Sequence, residues 1–174
     1  MRKLISVLTA VALTLAAAAC KRTPQVETIE DGNEPALSSV HAANLRGTIQ
    51  FLSGIHELEN NAYRWTMGKF SLILQPPQGT AQDGARLEFR FVLPDSVISR
   101  RKAVTLAASV EGQALAPETY TGKGEFTYVR DVPVSVLGAG PVKVDFALDK
   151  YLAAGEVEER ELGVLFLSAA LLPR

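Results

Sequence analysis

The sequence predicts an antiparallel β-sandwich from about residue 44 onward, and three observations carry that expectation. Apolar residues recur in short alternating runs rather than at helical spacing. Turn residues such as Pro76-Pro77, Pro94-Asp95 and Gly138-Ala139-Gly140-Pro141 separate the runs. No strong helical segment interrupts them, which disfavours an α/β architecture. The 174 residues, 47% apolar with a formal charge of −1, suit one domain with an appendage. A near-neutral balance with a pI near 6.1 argues against a general nucleic-acid binder, which shows a basic face.

The chain begins with cationic Met1-Arg2-Lys3, followed by an uncharged stretch from Leu4 to Ala19. That stretch falls short of the roughly 20 residues a spanning helix needs. A charged start, a short apolar run and small residues before a cut describe a secretory signal over residues 1–19. Here Leu15 and Ala17-Ala18-Ala19 run directly into Cys20, the single cysteine, so no intramolecular disulfide forms. This junction resembles the lipobox of bacterial lipoproteins. The resemblance implies a diacylglyceryl group on the Cys20 thiol, cleavage before it and acylation of the new N-terminus. Lys21, not Asp, follows Cys20; the inner-membrane retention signal is therefore missing, which favours the outer membrane of a bacterial envelope. Several acyl chains anchor stably where one chain does not. Loss of residues 1–19 takes Lys+Arg from 18 to 16 against 19 acids, a charge of −3. Residues 20–43 then read as the lipidated cysteine and a flexible tether, with Pro24, Gly32, Pro35 and no apolar period.

Residues 44–174 form the expected single domain. Phe70, Leu72 and Leu74 share one face of a strand. Leu87, Phe89, Phe91 and Leu93 alternate with Arg86, Glu88, Arg90 and Val92. Val104, Leu106, Ala108 and Val110 repeat the pattern, and Gly112-Gln113 is expected to close a hairpin with glycine first. Phe126 and Tyr128 continue the set, and Val142, Val144, Phe146 and Leu148 form a further inward row. Leu162 to Leu172 is apolar on both faces and reads as a central strand covered on both sides, or as a helix. Short helices are expected near Ser96–Arg100 and Lys150–Ala154. Seven or eight strands in about 130 residues point to a jelly roll.

Several separated segments stand in a recurring order. Gly54-Ile55-His56-Glu57-Leu58-Glu59 precedes Tyr63-Arg64-Trp65-Thr66; Leu93-Pro94-Asp95 follows, then Val142-Lys143-Val144, Asp149 and Arg160-Glu161-Leu162-Gly163. This order resembles the galactose-binding-like jelly-roll modules attached to some bacterial glycosyltransferases and cell-surface polysaccharide proteins. In those a G-aromatic-x-x-x-E segment precedes an aromatic-Arg-Trp run, and the closing strand begins R-E-L-G. Ile55 stands where the aromatic residue is commoner. The resemblance covers nearly all of residues 45–174 and implies a non-catalytic accessory module.

No common catalytic pattern is present: no G-x-S-x-G elbow, no H-E-x-x-H, no phosphate loop. His41 falls in the tether. His56, Glu57 and Glu59 make a poor zinc set, because in a strand His56 points away from the two acids. A structural calcium has no short signature outside EF-hands and stays open; no other cofactor is expected. A sugar site combines an aromatic platform with groups that bind hydroxyls, and Trp65 with Arg64, His56 and Glu59 supply those parts, with Tyr120 as a further candidate. The commoner arrangement has Trp65 filling the core and Arg64 paired with Glu59. Arg100-Arg101-Lys102 reads as a solvated turn, and Glu156 to Glu161 as a charged loop anchored by Arg160 or Glu161. The leading expectation is an envelope lipoprotein with a carbohydrate- or polysaccharide-binding domain, held to the membrane by its lipid. The alternative is a structural or assembly factor that contacts envelope proteins through a sheet edge or apolar patch.

Overall fold

The computed structural model describes residues 35–174, so the expected signal segment and Cys20 lie outside the described residues. Ten strands are present among these residues: β1 (Ser39–His41), β2 (Phe51–Glu59), β3 (Tyr63–Leu74), β4 (Ala85–Leu93), β5 (Val104–Val110), β6 (Gln113–Ala114), β7 (Glu118–Tyr120), β8 (Gly124–Val132), β9 (Val142–Leu148) and β10 (Leu165–Pro173). Two short helices, α1 (Thr80–Asp83) and α2 (Asp95–Arg101), join them.

All strand pairs are antiparallel. Hydrogen bonds link six of the longer strands in the order β5-β9-β3-β10-β4-β8, and β2 pairs with β3 off this path. On that path β4 and β9 are not neighbours, yet the Phe89 and Phe146 rings lie 4.7 Å apart. The sheet therefore curls over on itself, and its two halves face each other as the layers of a sandwich. One layer holds β10, β4 and β8; the other holds β9, β5 and the short β6 and β7. From β4 onward every connection between the longer strands β4, β5, β8, β9 and β10 crosses from one layer to the other, which is jelly-roll connectivity.

Strand β3 makes the turn between layers. Its start pairs with β10 (Arg64 opposite Phe166), whereas its second half pairs with β9 from Lys69 to Leu74. The inward positions are the alternate ones the sequence marks. Leu87, Phe89, Phe91 and Leu93 of β4 are buried, as are Val104, Leu106, Ala108 and Val110 of β5 and Val142 to Leu148 of β9 at every second residue. Phe70, Phe89, Phe146 and Phe166 stack or tilt against one another in the centre. Such aromatic pairs add about 0.5–1.5 kcal/mol each beyond the area they bury. The open side is stitched by Arg130 of β8. Its Nε donates to the Ala116 carbonyl at 2.7 Å and its Nη2 meets Glu118 at 2.8 Å, while the Tyr128 hydroxyl donates to the same carbonyl at 2.8 Å.

Four expectations change in detail. The hairpin after β5 turns on Glu111-Gly112, one residue earlier than expected, because Val110 pairs with Gln113 and both turn residues have positive φ. That is the geometry of a type I′ turn, with glycine in the second position rather than the first. The helix expected at Lys150–Ala154 is instead an isolated bridge between Leu152 and Leu162. The run ending at Leu172 forms a central strand, but its burial largely alternates, so it is sealed fully on one face only. The folded body also starts earlier than residue 44. Ser39–His41 pairs with Ser168–Ala170, and Val40 is fully buried, which takes these residues out of the expected tether.

Candidate functional site

The motif segments that stand far apart in the sequence converge on the bend of β3. Between its pairing with β10 and its pairing with β9, residues 66–68 need other hydrogen-bond partners. The Arg160-Glu161-Leu162-Gly163 segment and Val164 supply them. The Glu161 carboxylate accepts from the Gly68 amide at 2.6 Å, the Gly163 amide donates to the Thr66 carbonyl at 2.6 Å, and the Thr66 amide donates to Val164 at 2.9 Å. Gly163 sits so close that an added Cβ would lie 2.7 Å from Leu148 and from the Thr66 hydroxyl. Leu162 is buried beneath.

The candidate residues on β2 and β3 belong to this clamp. Arg64, expected as a ligand contact, is only 5% exposed. Its Nε donates to the Ala42 carbonyl at 2.9 Å, its Nη1 to the His56 carbonyl at 3.2 Å, and its guanidinium lies 5.4 Å from the centre of the Phe51 ring. Buried charge needs such partners; two of the five guanidinium N–H groups are used in this way, and burial leaves the side chain little surface to offer a ligand. The His56 ring is bonded through Nε2 to the Glu161 carbonyl at 2.8 Å. Glu59 pairs with Arg160 at 2.8 Å instead of with Arg64, and Glu158 and Glu59 together hold the Arg160 guanidinium more firmly charged. Trp65 is half-buried and packs against the core margin. Tyr120 lies elsewhere, with its ring against Phe91 and Phe126 inside the sandwich. Its buried hydroxyl has no hydrogen-bond partner among the described residues, and burial, with repulsion from Glu118, pushes its pKa up. The structure thus groups His56, Glu59, Arg64 and the closing motif as a structural clamp and leaves Tyr120 apart from it.

A concave site occurs on a different surface. The outward faces of β2, β3, β9 and β5 border a groove of about 330 Å³, at the small end of ligand pockets, which run about 300–1,000 Å³. Strand register builds it. Ser53 pairs with Ser71, Ser71 with Asp145, and Asp145 with Ser109, so three hydroxyls and a carboxylate form one transverse row across four strands. The Ser53 and Ser71 hydroxyls are 2.8 Å apart. In the next row Lys69, Ala147 and Ala107 are also in register, and the alanines leave the floor open. Asp145 is held by Lys143 at 2.8 Å on the same strand. Sequence reasoning missed these residues, although the outward parity of Ser71, Ser109 and Asp145 and the small side chains beside them were visible. Among the described residues no group of three His, Cys, Asp or Glu side chains is placed to hold a metal ion. No helix among them is long and apolar enough to cross a membrane.

Compared with protein-family models and with curated proteins, the chain matches none. Among solved structures it is similar to the CBM36-1 domain of a multidomain xylanase from the hindgut metagenome of Trinervitermes trinervoides, with 11% identity and a TM-score of 0.41, covering 76% of this chain and 94% of that one. It is also similar to the M60 catalytic domain with the CBM51-1 and CBM51-2 domains from Clostridium perfringens ZmpB, with 11% identity and a TM-score of 0.37. That match covers 80% of this chain and 13% of the other.

Proposed function

We propose that this chain is a non-catalytic, lipid-anchored protein of the bacterial envelope whose sandwich domain binds carbohydrate along the outer groove of β2, β3, β9 and β5. The observation that carries the reading is the transverse row Ser53–Ser71–Asp145–Ser109. Sugars present hydroxyls that both donate and accept. Serine hydroxyls answer in either sense and a carboxylate accepts from two at once. Lys69 adds a donor, and the methyl groups of Ala107 and Ala147 offer an apolar floor for a ring's C–H face. The anchor rests on the junction before Cys20, and the mature charge of −3 gives no strong partner preference.

A glycan array followed by titration tests the binding half. Ala147→Trp, which fills the groove floor, is expected to abolish binding, and Asp145→Asn to weaken it about tenfold, the effect of losing roughly 1.4 kcal/mol. Binding untouched by Ala147→Trp in a folded protein refutes the groove. Intact mass of the membrane-extracted protein tests the anchor: a chain beginning at an acylated Cys20 is expected, and an unmodified Cys20 refutes it.

A further inference from the structure

The surface next to the point where the described chain begins is unusually apolar. Leu45 is 74% exposed, Ile49 62%, Leu52 49% and Leu37 40%, all within one stretch of chain. This is not a frayed end. Gln50 is fully buried, and its side-chain amide donates to the Leu37 carbonyl at 3.0 Å and to the Ile73 carbonyl at 2.7 Å while accepting from the Leu37 amide at 2.9 Å. Those bonds fix Leu37 beside the 3-10 turn of Leu45–Gln50, and together with Pro35, Arg46 and Ile49 they border a shallow hollow of about 210 Å³. This polar lock fixes Leu37 against Gln50, and Leu45, Ile49 and Leu52 stand exposed on the turn and strand start that Gln50 joins. Single exposed apolar residues need no explanation, but a fixed group of them does.

From this arrangement we infer that the patch of Leu37, Leu45, Ile49 and Leu52 rests in the interfacial layer of the membrane that carries the anchor, with Arg46 reaching lipid phosphate. The inference rests on the proposed anchor at Cys20. Residues 21–34 separate Cys20 from Pro35, a span of roughly 50 Å at most when extended. The chain from a lipidated Cys20 therefore enters the domain at Pro35, beside Leu37, Arg46 and Ile49. A tether of that length holds the patch at high effective concentration near the bilayer, so weak insertion is enough to keep it there. The chemistry fits lipid better than protein. The exposed apolar groups are three leucines and an isoleucine with no aromatic residue among them, whereas protein hot spots are enriched in tryptophan and tyrosine and poor in leucine. An arginine stem packs along apolar groups while its head stays in the polar layer.

The test uses the full chain processed in cells and reconstituted in vesicles of phosphatidylethanolamine and phosphatidylglycerol with brominated acyl chains, which quench tryptophan on contact. On a Trp65→Phe background, Leu45→Trp and Ile49→Trp report on the patch, and Lys123→Trp in the β7–β8 loop is the control. Circular dichroism confirms that each folds, and two patch variants guard against failure of one. Quenching of about twofold or more is expected at positions 45 and 49 and not at 123. The same samples are weighed intact. Lipid on Cys20 without quenching at 45 and 49 overturns the patch and leaves the anchor standing. No lipid on Cys20 with quenching intact discards the anchor and keeps the patch; neither signal discards both. Equal quenching at all three positions overturns the inference. So does a blue shift at position 45 that grows with protein concentration in lipid-free solution, the sign of a second copy on the patch.

Discussion

Replacing Arg64 with alanine separates a structural clamp from a ligand contact. The side chain is buried on β3, and its guanidinium holds two carbonyls, those of Ala42 and His56. Leaving each of those acceptors unsatisfied costs about 1–3 kcal/mol. Loss of the guanidinium over Phe51 adds about 0.5–1 kcal/mol. Against this, removing a buried charge recovers part of its desolvation cost, and Glu57, fully exposed and 3.9 Å away, contributes little. The balance is a loss of about 3–4 kcal/mol. For a domain of this size that lowers Tm by roughly 10–15 °C. Arg64→Lys keeps the charge but one compact head cannot span both carbonyls, so about 1–2 kcal/mol is lost. Urea unfolding followed by circular dichroism measures both, with the slope m unchanged. A folded Arg64→Ala protein within 0.5 kcal/mol of wild type that had lost glycan binding would refute the reasoning and return Arg64 to the role the sequence suggests.

Three further outcomes follow from the packing and ionisation. Gly163→Ala places a methyl group against Leu148, Thr66 and the Met67 carbonyl, all within 2.8 Å, and is expected to destabilise the fold by about 2 kcal/mol in the same urea assay. Tyr120→Phe removes a buried hydroxyl that has no partner among the described residues, so stability is expected to hold or rise by up to about 1 kcal/mol, whereas Tyr128→Phe, which takes one donor from the Ala116 carbonyl, loses about 1. Burial raises the pKa of Tyr120 and of Tyr128 above the ordinary phenol value of 10.0. A raised folded-state pKa contributes stability that is complete below the unfolded value and fades as pH climbs above it. The fold is therefore expected to weaken above about pH 10, with part of the tyrosinate absorbance appearing only as circular dichroism is lost, and less of it in the double Phe variant.

The β-layers were legible because each long strand carries its own alternation: Leu87 to Leu93 and Val142 to Leu148 state which face is inward without help from a neighbour. The same parity places Arg64 inward with Thr66 and Phe70, and Trp65 outward, so the clamp role of Arg64 was present in the pattern but hidden by the aromatic residues beside it. The groove was not legible. Ser53, Ser71, Ser109 and Asp145 become neighbours only because β9 inserts between β3 and β5, and that order depends on long-range pairing, not on local sequence. Strand β1 was missed for a related reason: three residues are too short to show a period, and the prolines and acids before them set the composition of the segment. The R-E-L-G motif was visible as a motif, while its purpose, to supply hydrogen bonds across the bend of β3, appears only with the bend.

The most direct measurement is a paired titration of the folded domain with a glycan taken from the array, comparing Ala147→Trp with Trp65→Ala. Ala147→Trp is expected to abolish binding while Trp65→Ala leaves the Kd within about twofold. Binding lost in Trp65→Ala and retained in Ala147→Trp would refute the groove and move the sugar site to the β3 bend.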